Sequence, residues 1–133
     1  MQLQVGVKVY LRSPAGKYLL LERSATKYPE VKDRWDIVGG RIEIGTPLLA
    51  NLAREVLEET KLTITTEPKL IAAQDILRVA DRHVLRLTYV AEIAEVTPTL
   101  DEEHDNFGWF TLAELNSLEG FDQYAKAILP LLK

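Results

Sequence analysis

The chain has no cysteine, which excludes disulfides and thiolate metal sites and gives no sign of an oxidising compartment. No apolar run approaches the ~18 to 20 residues of a membrane-spanning helix. The segment Met1 to Tyr10 alternates like a strand and lacks the charged start, apolar stretch and small-residue cleavage site of a secretory leader. A cytoplasmic protein is the expectation. Positive charge is also short: 16 Lys and Arg against 20 Asp and Glu leave a formal charge of -4, so nothing draws the whole chain to a nucleic-acid polymer or an anionic membrane. Any phosphate ligand must be held locally, most easily with divalent cations between the two sets of negative charge. The two histidines, His83 and His104, have no spacing that suits zinc or nucleophilic chemistry, and neither is assigned a role.

What remains is an ordinary globular composition, 47% hydrophobic and 27% charged over 133 residues, enough for one domain over 1–133 with a real core. Gln4 to Arg12 and Lys17 to Glu22 are rich in Val, Leu and Tyr and flank Ser13-Pro14-Ala15-Gly16, which reads as a β-hairpin. A polar loop from Arg23 leads to a short strand, Trp35 to Val38, ended by Gly39-Gly40. Leu70 to Leu77 and His83 to Ile93 form a second strand pair. An acidic loop from Asp101 to Asn106 precedes an aromatic strand, Phe107 to Phe110; a helical turn at Thr111 to Leu115 and a final helix at Asp122 to Leu132 follow. Strands, helix, strands, helix is an α+β order, a mixed sheet with helices packed on it or an αβα sandwich.

The informative element is the helix from Pro47 to Thr60. Leu49, Leu52, Ala53 and Val56 recur at helical spacing, while Asn51, Arg54, Glu55, Glu58 and Glu59 take the other side. Thr46 ahead of Pro47 suits a cap. Three carboxylates within one turn repel one another by ~0.2 to 0.5 kcal/mol per close pair. Arg54 offsets one of them through Glu58. A hard cation such as Mg²⁺ would relieve the rest, whereas a merely solvated face would need no ion. The preceding Gly39-Gly40-Arg41-Ile42-Glu43-Ile44-Gly45-Thr46 delivers a glycine-rich loop to the helix start, where main-chain groups approach a metal or phosphate closely. An ordinary turn would also use glycine.

Together, loop and helix resemble the Nudix box: Gly, five residues, Glu, seven residues, Arg-Glu, an aliphatic residue, any residue, Glu-Glu, any residue, Gly and an aliphatic residue, with Gly40, Arg54, Glu55, Val56, Glu58, Glu59 and Leu62 matching in register. The resemblance extends to Leu19-Leu20-Leu21-Glu22-Arg23 and Trp35 ahead of the box and to Trp109-Phe110 and Leu112 to Leu115 after it. Two positions depart from the pattern. Thr46 stands where the family has its first Glu, and Lys61 stands where it has Gly. A left-handed Lys61 would cost on the order of 1 kcal/mol, so a differently built turn is expected there.

The resemblance implies a Nudix-like αβα sandwich and a metal-dependent hydrolase that cleaves a phosphoanhydride bond in a nucleoside di- or triphosphate derivative. A small housecleaning (d)NTP or oxidised-nucleotide pyrophosphatase is favoured, with ADP-ribose and other diphosphate-linked compounds open. It implies Mg²⁺ or Mn²⁺ held by Glu55, Glu58, Glu59 and Glu103 with the carbonyl of Gly39, and Arg54 orienting the carboxylates. Glu55 or Glu103 would be the general base. Arg23, Gly40 and Arg41 would contact the substrate, and the other acids of the late loop, Asp101, Glu102 and Asp105, rival Glu103. Tyr28, Trp35, Tyr89, Phe107 and Trp109 are candidates for stacking a base, most of them expected in the core instead. A homodimer sharing its site is compatible with this picture, and so is a nucleotide-binding sensor module that no longer cuts.

Overall fold

A computed structural model describes residues 1–132. Among these described residues seven strands make one mixed sheet: β1 Gln2–Arg12, β2 Tyr18–Arg23, β3 Trp35–Asp36, β4 Val38–Arg41, β5 Lys69–Ile76, β6 Arg82–Glu92 and β7 His104–Phe110. The centre is β1, paired in parallel with β6 along its whole length and antiparallel with β4. The side chains of β1 alternate between the two faces of the sheet. Val7, Val9 and Leu11 join a core with Leu52 and Val56 of α1, Leu48–Thr60. Tyr10 joins the opposite core with Leu115 of α2, Leu112–Ser117, and Ala125 of α3, Gln123–Ala127. Helices therefore cover both faces, the layering of the expected αβα sandwich. Among the described residues no helix is long and apolar enough to cross a membrane.

Several boundaries differ from the sequence reading, each for a local reason. β1 and β2 meet only at Arg12 and Tyr18 around the turn closed by Gly16 N–H to Ser13 O (2.9 Å). Beyond it β1 pairs with β4 and β6, and β2 with β3 and β7, so the hairpin opens into two halves of the sheet. Gly39 and Gly40 do not end a strand. They lie within β4, opposite Lys8 and Val7, where a Cβ on Gly39 would stand 2.0 Å from the Val7 carbonyl oxygen. His104 to Asn106, expected in the acidic loop, already belong to β7. The last helix stops at Ala127 and gives way to a 3₁₀ turn, Leu129–Leu131, because Pro130 cannot donate the helical hydrogen bond.

Candidate active site

The start of α1 is not capped by Thr46. Pro47 is the boundary residue and makes no side-chain cap, and Asn51 organises the loop instead. Its amide nitrogen donates to the carbonyls of Thr46 (2.8 Å) and Pro47 (2.9 Å), and its amide oxygen accepts from the Glu43 N–H (2.9 Å) and from Arg54 (2.9 Å). The sequence reading put Asn51, Glu55 and Glu59 on the outer side of the helix. All three are buried, spaced a turn apart on the face turned to β4.

That face meets the glycine pair. Gly40 leaves room for the Glu55 carboxylate, whose Oε2 would lie 2.2 Å from a Cβ at that position. The Gly39 N–H donates to Glu59 Oε1 (3.1 Å), while the Gly39 carbonyl accepts a long bond from the Lys8 ammonium (3.4 Å). Burial pushes the Glu59 carboxyl up to about 8, held back by the positive charge of Lys8 and the Gly39 amide and reinforced by Glu55 and Asp101. Glu55 is raised as well, first by burial and then by Glu58 and Glu103, against the charge of Arg54.

Arg54 ties the loop to the helix: its Nε lies 3.4 Å from Glu43, and its Nη1 lies 3.6 Å from both Glu55 and Glu58. Glu43 thus supplies Arg54 with a loop carboxylate in a chain that has Thr46 at the box's first Glu position. Lys61 adopts the left-handed conformation after all (φ 61°, ψ 18°) and donates its N–H to the Leu57 carbonyl, so the turn expected to be built differently keeps the geometry a glycine would take.

A cleft of about 220 Å³ brings together Glu55, Glu59, Glu103, Gly39, Gly40 and Arg23. Glu58 does not line it and remains half-exposed beside Arg54. Among the rival acids of the late loop, Asp101 is bonded to His104, Glu102 to Lys27, and Asp105 to the Ala25 N–H. Glu103 lines the cleft together with Tyr28, whose ring carries the Arg23 guanidinium at 5.1 Å. Trp35, Phe107, Trp109 and Tyr89 belong to the two cores, as expected for most of the aromatics. Among the described residues no three acidic or histidine side chains converge tightly enough to share a metal ion. The donor set nevertheless fits a hard divalent cation. It consists of oxygens alone, and Glu55 and Glu59 are withdrawn from water and repel each other.

Beside this cleft lies a buried ion network that the sequence reading missed. Asp36 accepts from Arg86 (3.0 Å) and lies 3.2 Å from Lys8, while Arg86 also reaches Asp122 (3.1 Å), whose carboxylate caps α3. The available signal was a cation in the interior of each of two apolar strands, Lys8 in β1 and Arg86 in β6.

The profile of the NUDIX domain family matches residues 2–132. The chain belongs to the Nudix family. The enzyme class expected from the box, a Nudix-type pyrophosphohydrolase, stands with that membership. Solved structures share the Nudix fold. A MutT Nudix hydrolase from Burkholderia pseudomallei superposes with a TM-score of 0.83 at 22% identity, covering 100% of both chains. A MutT protein from Methanosarcina mazei gives 0.81 at 22% identity, covering 96% of this chain and 91% of that one. The ORF135 protein of E. coli gives 0.80 at 20% identity, covering 98% and 89%. No curated protein matches this Nudix chain in sequence.

Proposed function

We propose that this Nudix domain hydrolyses a phosphoanhydride bond in a nucleoside di- or triphosphate derivative, with Mg²⁺ or Mn²⁺ held by Glu55, Glu58, Glu59 and Glu103 and the carbonyl of Gly39. The observation that carries the reading is the pair of buried carboxylates, Glu55 and Glu59, pressed against the glycines of β4 at the mouth of a cleft. Burying such groups without using them would be costly. When bound, the metal polarises phosphoryl oxygens and lowers the pKa of the attacking water.

The chain's own residues supply the remainder. The Gly39 amide fixes one Glu59 oxygen, and Arg54 holds Glu55 and Glu58 in place. Arg23, stacked on Tyr28, offers its guanidinium edge to a phosphate. Glu55 and Glu103 both reach the cleft, and either accepts the proton of the attacking water. Gly40 and Arg41 line the same wall and meet the polyphosphate.

The test is release of phosphate or pyrophosphate from 8-oxo-dGTP, ordinary NTPs and dNTPs, ADP-ribose and a dinucleoside polyphosphate, with Mg²⁺ or Mn²⁺ and with Glu58→Gln as control. Metal-dependent turnover lost in the variant supports the reading. Tight binding of one compound without turnover would replace it with a nucleotide sensor.

A further inference from the structure

Tyr28 stands between two groups of the acidic cleft that come from different strands, Arg23 at the end of β2 and Glu103 just before β7. Its ring, one of the candidates for stacking a base, already carries the Arg23 guanidinium on one face, 5.1 Å from the centroid. Its hydroxyl meets the Glu103 carboxylate: burial pushes the phenol up, the charge of Glu103 and a hydrogen bond to it add to the rise, and Arg23 and Lys27 oppose it. Among the described residues neither the Arg23 guanidinium nor the Glu103 carboxylate has an ion-pair partner. Long side chains left free pay for their lost rotamers when a ligand orders them, and Tyr28 restrains both in advance.

The surrounding backbone keeps Tyr28 in that place. β2 shifts register against β7 between Glu22 and Arg23, a bulge of the kind that re-aims a side chain, and the segment that follows folds on itself. The Tyr28 N–H donates to the Ser24 carbonyl (3.1 Å), and the Lys27 N–H donates to the Ser24 hydroxyl (3.2 Å). Arg34 closes the segment from its far end, donating to the carbonyls of Ser24 (3.2 Å), Tyr28 (3.0 Å) and Pro29 (3.4 Å). The same segment is tied to the late acidic loop. The Ser24 N–H donates to the Glu103 carbonyl (2.8 Å), the Ala25 N–H donates to Asp105 (3.0 Å), and Lys27 lies 3.1 Å from Glu102.

We propose that Tyr28 is a positioning residue for both sides of the reaction: its ring face holds Arg23 toward the substrate's phosphate, and its hydroxyl holds Glu103 in the cleft beside Glu55 and Glu59. The inference rests on the hydrolase reading for what Arg23 and Glu103 do, and it makes the segment from Ser24 to Arg34 part of the site.

Tyr28→Phe keeps the ring and removes the hydroxyl, whereas Tyr28→Leu removes both. The first measurement requires no turnover: calorimetric binding of methylene bisphosphonate, a diphosphate that cannot be hydrolysed, in the presence of Mn²⁺, with the fold of each variant checked by circular dichroism. Tyr28→Leu binds it about two- to fivefold more weakly than Tyr28→Phe, the range of a partly exposed cation–π contact, and the difference vanishes when both variants also carry Arg23→Gln. Equal affinities of the two variants, or a difference that survives Arg23→Gln, overturn the proposal. The second measurement is a double-mutant cycle on kcat, with any of the anhydride compounds that is turned over. Tyr28→Phe lowers kcat about tenfold with KM unchanged, the size of one hydrogen bond to a charged group, and lowers it no further in the Glu103→Gln background. A hydroxyl that served stability alone would lower the melting temperature and leave the cycle additive, which overturns the proposal, as does full kcat in Tyr28→Phe. If the wild type turns over no compound, the hydrolase reading fails, and the same cycle is read on Mn²⁺ binding by electron paramagnetic resonance. Tyr28→Phe then weakens Mn²⁺ binding in the wild-type background and not in Glu103→Gln, and additivity overturns the proposal.

Discussion

Gly40 and Glu55 occupy each other's space. The carboxylate of Glu55 fills the volume where a side chain at position 40 would begin, 2.2 Å from an ideal Cβ. Gly40→Ala must expel that carboxylate or shift β4, a cost of about 1 to 3 kcal/mol typical of overpacking. The expected outcome is a lower melting temperature together with a loss of Mg²⁺-dependent turnover of 10²-fold or more, estimated from the sensitivity of catalysis to ~1 Å misplacement. Gly40→Ala at wild-type activity would show that Glu55 is not placed by this contact.

The raised carboxyl of Glu59 sets a pH dependence. Its proton is held more tightly in the folded chain, at about 8, than the ordinary carboxyl value of 4.5. The folded state therefore binds more protons between those values, and stability falls as pH rises through that window. For the metal-free protein, the melting temperature of the wild type declines across this range relative to Glu59→Gln. Saturating Mg²⁺ at pH near 8 restores the wild type but not the variant, which differential scanning calorimetry checks.

Asp36 behaves in the opposite sense. Burial alone would raise its carboxyl, but Lys8 and Arg86 overcome this and hold it well below the carboxylate range. Its contribution is present above the unfolded value of roughly 4 and is lost as pH falls below it. Asp36→Ala leaves Arg86, only 6% exposed, with one carboxylate partner in place of two. The expected destabilisation is about 3 kcal/mol or more, read from urea denaturation at neutral pH. Asp36→Asn shows a shallower acid transition than the wild type.

Lys61→Gly relieves the left-handed backbone at the end of α1. Since Lys61 is exposed, little packing is lost, and stability rises by about 1 kcal/mol with turnover unchanged. A fall in melting temperature would mean that this conformation carries no strain.

Asn51→Ala removes four hydrogen bonds that join the loop from Glu43 to Pro47 to α1 and to Arg54. Stability falls by about 2 kcal/mol. If the loop serves the site, turnover falls further than the unfolded fraction explains, which a comparison of kcat with the fraction folded at the assay temperature separates.

The sequence by itself determined most of the elements and the family motif carried by one helix. The apolar spacing of Leu52 and Val56, the register of Arg54, Glu55, Glu58 and Glu59 behind Gly40, and the alternation of β1 are local patterns, and local patterns are what a linear reading can see, whereas Leu49 and Ala53, read on the same apolar side, are exposed. Only the tertiary structure decided which side of α1 is covered. The helix packs between the core and β4, so Glu55 and Glu59 are buried although their spacing alone was equally consistent with a solvated face. The same holds for the network of Lys8, Asp36, Arg86 and Asp122. Its members lie far apart in the chain and meet because β1 pairs in parallel with β6 and antiparallel with β4. Register between distant strands is set by long-range pairing, and no single segment of sequence carries it.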